Sequence, residues 1–552
     1  MTAGSGHKID MTLSRRGFIA STAAAAGLQI LRASDAGAQP AEGVRLGVIS
    51  DTHATGPESV ECLSEAFRFL RDRGVAGVLH CGDVTDMGTL DQLDAFSAAW
   101  HSVFDEKTKF AVALGNRDMM DSKKISDEVR LAAKGRAILD NPREAFRRAM
   151  GVDIGDGVYA GRIGGVWIVS APWKKEGDLE AFFMAHPEIA ASGAPVVVLQ
   201  HKHHKGTVFG GKLGDWAVCD PRATCWMELF PDFISFSGHS HITHMRDGAV
   251  HDGAFHAIAA GSYCMEKSRT PGGRDVSIIT FAGGAATLER FDMRTGRSVR
   301  SDLELRRPRA SLGASGGFTF MQWNIGHFCF GRTTSTAIAA ADADSRAAAF
   351  RAEIARHAPD VIGLCEHSAV FSKDGSAARD RILQGFASVD EGQQSGYQCN
   401  AVAARAAGMR RIAQVPYVTH SQPTYYLAEE VEISGRRVVF VQTHLDLGDA
   451  AVRRSQMDAL LHDFAAHPAV VISGDFNVSD EAEYAPFAAA GYAAANCAAF
   501  GRFPTHRRRR LGITPAIDNV FAKGLRITDA CLGDYAFSLS DHRPVVVRLE
   551  AT

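Results

Sequence analysis

Nearly every short apolar run in this chain is followed at once by a residue able to hold a metal ion. The run 44–50 leads into Asp51-Thr52-His53, 75–80 into Gly82-Asp83, and 110–114 into Gly115-Asn116-Arg117-Asp118. Farther on, 196–200 leads into His201, and 233–236 into Gly238-His239-Ser240-His241. Runs this short read as buried strands, the run 166–170 among them, and the periodic stretches 60–73 and 90–100 between them read as helices. Layered α/β folds put their chemistry at strand ends. The pattern therefore predicts an α/β fold of layered (α+β) type, and it starts again after a break.

The break lies at 306–317, a polar, basic, Gly/Ser-rich stretch with the composition of a linker. Before it, 276–281 and 286–291 read as closing strands. After it come apolar runs at 318–323, 361–364, 438–443, 469–472, 517–522 and 545–549, with helices at 337–357 and 450–466. At 552 residues, 46% of them hydrophobic, the chain can fill two cores of about 250 residues each. The expected division is a first domain at 44–300, a linker at 301–316 and a second domain at 317–550. No internal repeat relates the halves, so two different folds are expected. A net charge of −3 provides no basic field for recruiting nucleic acid. The ten cysteines include no CxxC and read as buried thiols, with Cys219–Cys225 the one close pair to inspect for a disulfide.

The first set of motifs resembles the calcineurin-like metallophosphoesterase superfamily, over roughly residues 44–300. The resemblance implies one ion held by Asp51, His53, Asp83 and His241, and a second held by Asp83, Asn116, His201 and His239. Such a mixed oxygen and nitrogen set suits Mn, Fe or Zn rather than Ca. In the run His201-Lys202-His203-His204-Lys205 the residue directly after the strand is favoured as the ligand, and the other two histidines read as an exposed polar loop. The segment 121–151 reads either as an overhang of the site or as a connecting helix pair. One departure stands out: the family carries histidine where this chain has Arg117. Arginine can grip a phosphate but cannot donate a proton at useful pH, so a substrate with a good or metal-assisted leaving group is expected. Gly115-Asn116-Arg117-Asp118 also resembles the motif of enzymes that cleave UDP-diacylglucosamine, but the likeness stops at this one motif.

The second set resembles the endonuclease/exonuclease/phosphatase superfamily, over about residues 317–550. Its motifs are Trp323-Asn324-Ile325, Glu366, Thr443-His444-Leu445-Asp446, Gly474-Asp475-Phe476-Asn477, Ile517-Asp518-Asn519 and Ser540-Asp541-His542-Arg543-Pro544. The resemblance implies that Glu366, assisted by Asn324 and Asp541, holds Mg²⁺ or Mn²⁺, and oxygen-rich ligation is what Mg²⁺ prefers. It further implies that Asp475 orients or deprotonates the attacking water. Asn477 and His444 would hold phosphoryl oxygens, and His542 would bind the phosphate with Asp518 as its orienting carboxylate. His327 and His367 read equally as substrate-facing or merely polar. The run His506–Arg510 reads as a solvated loop slightly ahead of an anion grip. Both superfamilies imply four-layer α/β/β/α sandwiches, here two in tandem.

At the N-terminus, Ser14-Arg15-Arg16-Gly17-Phe18-Ile19 resembles the twin-arginine export signal, followed by a mildly apolar run and a small-residue cleavage site at Ala36-Gly37-Ala38. Residues 1–38 are therefore expected to be a signal peptide, and their loss leaves a net charge of −5. No segment reaches the ~20 apolar residues of a membrane span. Together the resemblances imply an exported, periplasmic or secreted, bifunctional phosphoric ester hydrolase acting on small phosphomono- or diesters. The expected partners are the small substrate and the twin-arginine machinery, without a stable nucleic-acid partner; oligomeric state is not legible. A nuclease is the alternative, and a lipid phosphodiesterase stands behind it. A binding module with one dead site is the reading from another class, and it predicts metal missing from one domain.

Overall fold

The computed structural model of the chain describes residues 43–120, 137–263, 273–313, 316–326, 340–367, 378–392, 399–417, 424–507, 511–512 and 515–552. The expected signal peptide, most of the segment after the third motif, Cys264, His327, Cys329 and Arg508–Arg510 lie outside them.

Four six-stranded sheets form two sandwiches in tandem. In the first domain one sheet runs Arg297–Glu304, Ala285–Asp292, Asp275–Ala282, Val44–Ile49, Gly77–His80, Lys109–Val112. Its partner runs Tyr159–Ile163, Val166–Ala171, Val196–Gln200, Phe233–Ser237, His256–Ala259, Val250–Asp252. Leu46, Val48, Leu79, Val197, Leu199 and Ile234 pack between them. Helices cover the outer faces. On Ser59–Arg71, Leu63, Ala66, Phe67 and Leu70 fall at i, i+3, i+4, i+7 and are buried on the first sheet. The helix Pro142–Met150 has an Asn141 cap accepting from the Glu144 amide, proline in its first turn and Gly151 in the left-handed region after it.

The second domain repeats the layering with different strands. One sheet runs Ser388–Glu391, Ala401–Ala404, Val361–Cys365, Phe318–Asn324, Val545–Ala551, Leu525–Leu532. The other runs Arg410–Pro416, Tyr425–Ile433, Arg436–His444, Val470–Asp475, Asp518–Lys523, Ala493–Ala494. The helix Ala340–His357 packs Ala347, Phe350 and Ile354 on the first sheet, and Ala450–Asp463 packs Met457 and Leu460 on the second. Each fully buried aliphatic or Phe side chain in such layers contributes about 1.5–3 kcal/mol.

Register decides where the polar residues emerge. Ile49 pairs with His80 and His80 with Val112 in parallel, so the chain segments bearing Asp51, Asp83 and Asn116 leave one sheet edge side by side. In the partner sheet Ala171 pairs with Gln200 and Leu199 with Phe236, which aligns His201 and His239. In the second domain Asn324 pairs with Cys365, His444 with Asp475 and Asp475 with Asp518.

The structure differs from the sequence reading in several places. The strand Arg297–Glu304 extends into the stretch read as linker, and the chain beyond it is tied down: the Leu532 amide donates to the Arg309 carbonyl (2.9 Å) and the Gly313 amide to Asp529 (2.7 Å). Cys219 and Cys225, by contrast, are buried free thiols as expected of the cysteines here, the first lying against His204 and Thr224. His203 and His204 are fully buried rather than in an exposed loop.

Candidate metal centres

In the first domain Asp51, His53, Asp83 and His241 form one group whose ligand atoms lie within 4.8 Å of one another, and Asp83, His201 and His239 form another. Asp83 belongs to both. The His241 Nε2 is 3.2 Å from Asp51 Oδ1, and the His201 Nε2 is 3.4 Å from Asp83 Oδ2 and 3.1 Å from the Asn116 side-chain oxygen. Asp51, His53, Asp83, His239 and His241 all have positive φ, between 45° and 68°. Non-glycine residues hold that strained conformation only where their surroundings impose it, and such residues cluster at functional sites. The motif glycines explain themselves sterically: a Cβ at Gly115 would overlap Asp83, and one at Gly238 would overlap Ser50 and Asp51.

The imidazoles are oriented from behind. His53 Nδ1 faces Asp86 (3.2 Å), His201 Nδ1 faces the Cys81 carbonyl (2.8 Å), and His239 Nε2 faces the Trp216 carbonyl (3.0 Å). Those oxygens only accept, so each of these nitrogens carries the proton and the opposite one turns a lone pair inward. The inward nitrogens of His201 and His239 are 3.1 Å apart, and those of His53 and His241 3.0 Å. Lone pairs this close repel unless positive charge lies between them. Burial by itself lowers the His201 pKa, yet the charge of Asp83, its hydrogen bond and the charge of Asp51 push it up to about 10. These donors fit two divalent ions, which the residues named from the sequence would hold.

Around the ligands sit residues that hold them. Asp118 accepts from the amides of Val84, Thr85 and Gly115, binding the second motif to the third. Arg117 donates its amide to Asp83 (2.7 Å) and is half-exposed beside the cluster. His203 lies between the hydroxyls of Ser237 (2.8 Å) and Ser240 (3.0 Å), outside the ligand groups, and burial holds its pKa down to about 3.

The second domain is built on carboxylates. Asn324 turns its amide nitrogen to Glu366 and to Asp475 (3.2 Å each), while its oxygen accepts from the Gly326 amide. The expected oxygen ligand is thus, in this arrangement, a tie between two carboxylates. Glu366 and Asn477 have positive φ, 49° and 53°. Asp475 receives the Asn477 amide on one oxygen and faces His444 (3.5 Å) and His542 (3.7 Å) with the other. Burial opposes its ionisation, but the positive fields of His444 and His542 prevail and hold its pKa below the ordinary value. Asn477 donates its side chain to the Leu445 carbonyl.

Asp518 is 2.7 Å from His542 Nδ1 and is itself held by Gln322. Burial alone lowers the His542 pKa, but Asp518 first, then Asp475 and Asp541, push it up to about 10, so it is an imidazolium at neutral pH. Asp541 groups with His542 and with His506, in the run that reads from sequence as a solvated loop or an anion grip. His506 pairs with His542 across an antiparallel bridge, their ring centroids 4.4 Å apart. Only that long-range pairing reveals it. His367 is buried, with its Nε2 2.7 Å from Glu391.

Residues 44–243 match the family model described as calcineurin-like phosphoesterase, and residues 321–542 match that of the Endonuclease/Exonuclease/phosphatase family. The chain carries one domain of each, in that order. Both families hydrolyse phosphoester bonds with the help of metal ions, and this protein is accordingly a metal-dependent hydrolase of phosphoesters. Among solved structures, similarity is found to humanized D. rerio TDP2 carrying 14 mutations, at 18% identity over 43% of this chain and 100% of that one, TM-score 0.34. An endonuclease/exonuclease/phosphatase from Beutenbergia cavernae DSM 12333 is 20% identical over 42% of this chain and 71% of its own, TM-score 0.31. The human Nocturnin catalytic domain with bound sulfate is 17% identical over 45% and 97%, TM-score 0.33. No curated protein matches the chain.

Proposed function

We propose that the protein is an exported, bifunctional phosphoesterase acting on small organic phosphomono- and diesters such as nucleotides, phospholipid head groups and sugar phosphates. The observation that carries this reading is the pair of separate ligand clusters, each with its imidazoles and carboxylates fixed from behind, in two unrelated domains. Asp51, His53, Asp83, Asn116, His201, His239 and His241 would hold two Mn, Fe or Zn ions. Glu366, with Asp541 and the carboxylate tie at Asn324, would hold Mg²⁺ or Mn²⁺. Bound divalent ions supply phosphoryl binding and an acidified water.

The chain's own groups divide the remaining work. Arg117 binds a phosphate beside the first cluster but supplies no proton to a leaving group. The imidazolium of His542 binds phosphate in the second domain, and the ionised Asp475 orients the water. One centre could then open a diester and the other release phosphate from the resulting monoester. Export by the twin-arginine route places this activity in the periplasm or outside the cell, away from chromosomal DNA.

A phosphoester panel assayed on Asp83→Ala and Glu366→Ala tests the reading. Each variant is expected to lose a different part of the activity. If both abolish the same single step, the relay is wrong. Hydrolysis confined to polynucleotides, with steep salt dependence, would favour a nuclease instead.

A further inference from the structure

The two domains share a core at the base of the second centre. Tyr535, Ala536 and Phe537 of the second domain are buried among first-domain side chains, including Phe183, Phe230 and Phe233. Into this cluster runs Arg543, the residue after His542, and it is completely buried. Its guanidinium lies 4.0 Å from the Phe537 ring centroid, 4.4 Å from Tyr535 and 5.3 Å from Phe230. It donates to the Leu229 carbonyl of the first domain (3.2 Å). The Tyr535 hydroxyl bonds Asp232, which also takes Arg307.

A second arginine makes the same crossing on the paired segment. Arg507 follows His506, gives its amide to the Asp541 carbonyl (2.8 Å), and sends its side chain to the Met184 sulfur (3.0 Å) and toward Glu180 (3.8 Å) of the first domain. The Arg543 amide closes the pairing on the Thr505 carbonyl (2.7 Å). His506 and His542 are therefore each followed by an arginine seated on the other domain.

We infer that the first domain is the scaffold that positions His542 and Asp541, with Arg543 as the positioning residue, so that the second centre reaches full activity only while packed on the first domain. A buried guanidinium held between aromatic faces and donating to the Leu229 and Pro504 carbonyls is costly to move, which makes it a rigid register mark for the neighbouring histidine. Displacing a reacting group by about 1 Å can cost about a hundredfold in rate. The inference rests on reading the second domain as a working phosphoesterase; loss of its activity in Asp475→Ala tests that reading separately.

The experiment follows the second centre in an Asp83→Ala background and the first centre in an Asp475→Ala background, at a temperature well below each variant's melting point. Phe230→Leu, in the first domain and remote from its ligands, and Arg543→Met are expected to lower the second centre's kcat at least about tenfold with KM within about threefold. Arg543→Lys is expected to recover part of the loss, while first-centre activity stays unchanged in all three. A second-centre kcat within twofold of the parent in Phe230→Leu overturns the inference, and so does an equal fall in both centres. Phe230→Leu decides alone if Arg543→Met does not fold.

Discussion

The first centre is a convergence of imidazoles, with inward nitrogens 3.0 and 3.1 Å apart and Asp83 common to both groups, whereas the second is a chain of carboxylates joined by one amide and ended by one His–Asp pair. Nitrogen-rich donors favour transition metals and oxygen-rich donors favour Mg²⁺. The contrast extends to the cation beside each cluster. In the first domain it is Arg117; in the second it is a histidine whose charge depends on Asp518. Two domains of phosphoester-hydrolysing families are therefore expected to differ in metal, in the proton they can offer and in pH response.

The contrast can be broken most severely at Asp83. Asp83→Ala should release both ions of the first domain and cut its turnover at least about a thousandfold, about 4 kcal/mol of transition-state stabilisation, leaving the second centre's kcat untouched. Separate assays on the variant check this. Next in size is Asp518→Asn. The His542 pKa is raised above the ordinary 6.5, so its charge is present at low pH and lost only as pH rises through about 10. Removing the carboxylate should return the pKa toward 6.5 and leave about one thirtieth of the second-centre rate at pH 8, with the acid side little changed, as a pH–rate profile would record.

Arg117→His sharpens the comparison by giving the first centre a proton donor. An increase of about tenfold is expected for alkyl phosphoesters and none for nitrophenyl esters, read from a leaving-group series. The smallest effect on activity is expected from His203→Ala. It leaves Ser237 and Ser240 without their buried partner, costing about 1–3 kcal/mol in thermal or denaturant unfolding, while the metal content of the first domain stays intact.

Central strands were legible because both faces are buried, which turns them into uninterrupted apolar runs such as Val196–Gln200. Edge strands were not. Arg297–Glu304 alternates exposed polar residues and Val250–Asp252 is three residues long; Ala401–Ala404, although an interior strand, carries no bulky side chain except Val402. Ligand candidates were legible where they follow central strands directly, as Asp51 and His239 do. Residues that act across the fold left no local mark: Asp86 behind His53, His506 on His542, and the aromatic seat of Arg543 each depend on pairing over long sequence distances. The run His201–Lys205 shows the limit from the other side. His203 and His204 resemble ligands in composition but are buried hydrogen-bonding groups, and only their partners, Ser237, Ser240, Thr224 and Ser235, distinguish them from His201.

The central claim is that the chain contains two independent metal centres of different donor chemistry. Elemental analysis of the purified protein beside Asp83→Ala and Glu366→Ala tests it most directly, with each protein loaded in a mixture of Mn, Zn and Mg and freed of loosely bound ions. Two transition-metal ions per chain should disappear in Asp83→Ala and persist in Glu366→Ala, with Mg²⁺-supported activity behaving the opposite way. Loss of all metal in either variant, or retention of both transition-metal ions in Asp83→Ala, would contradict it.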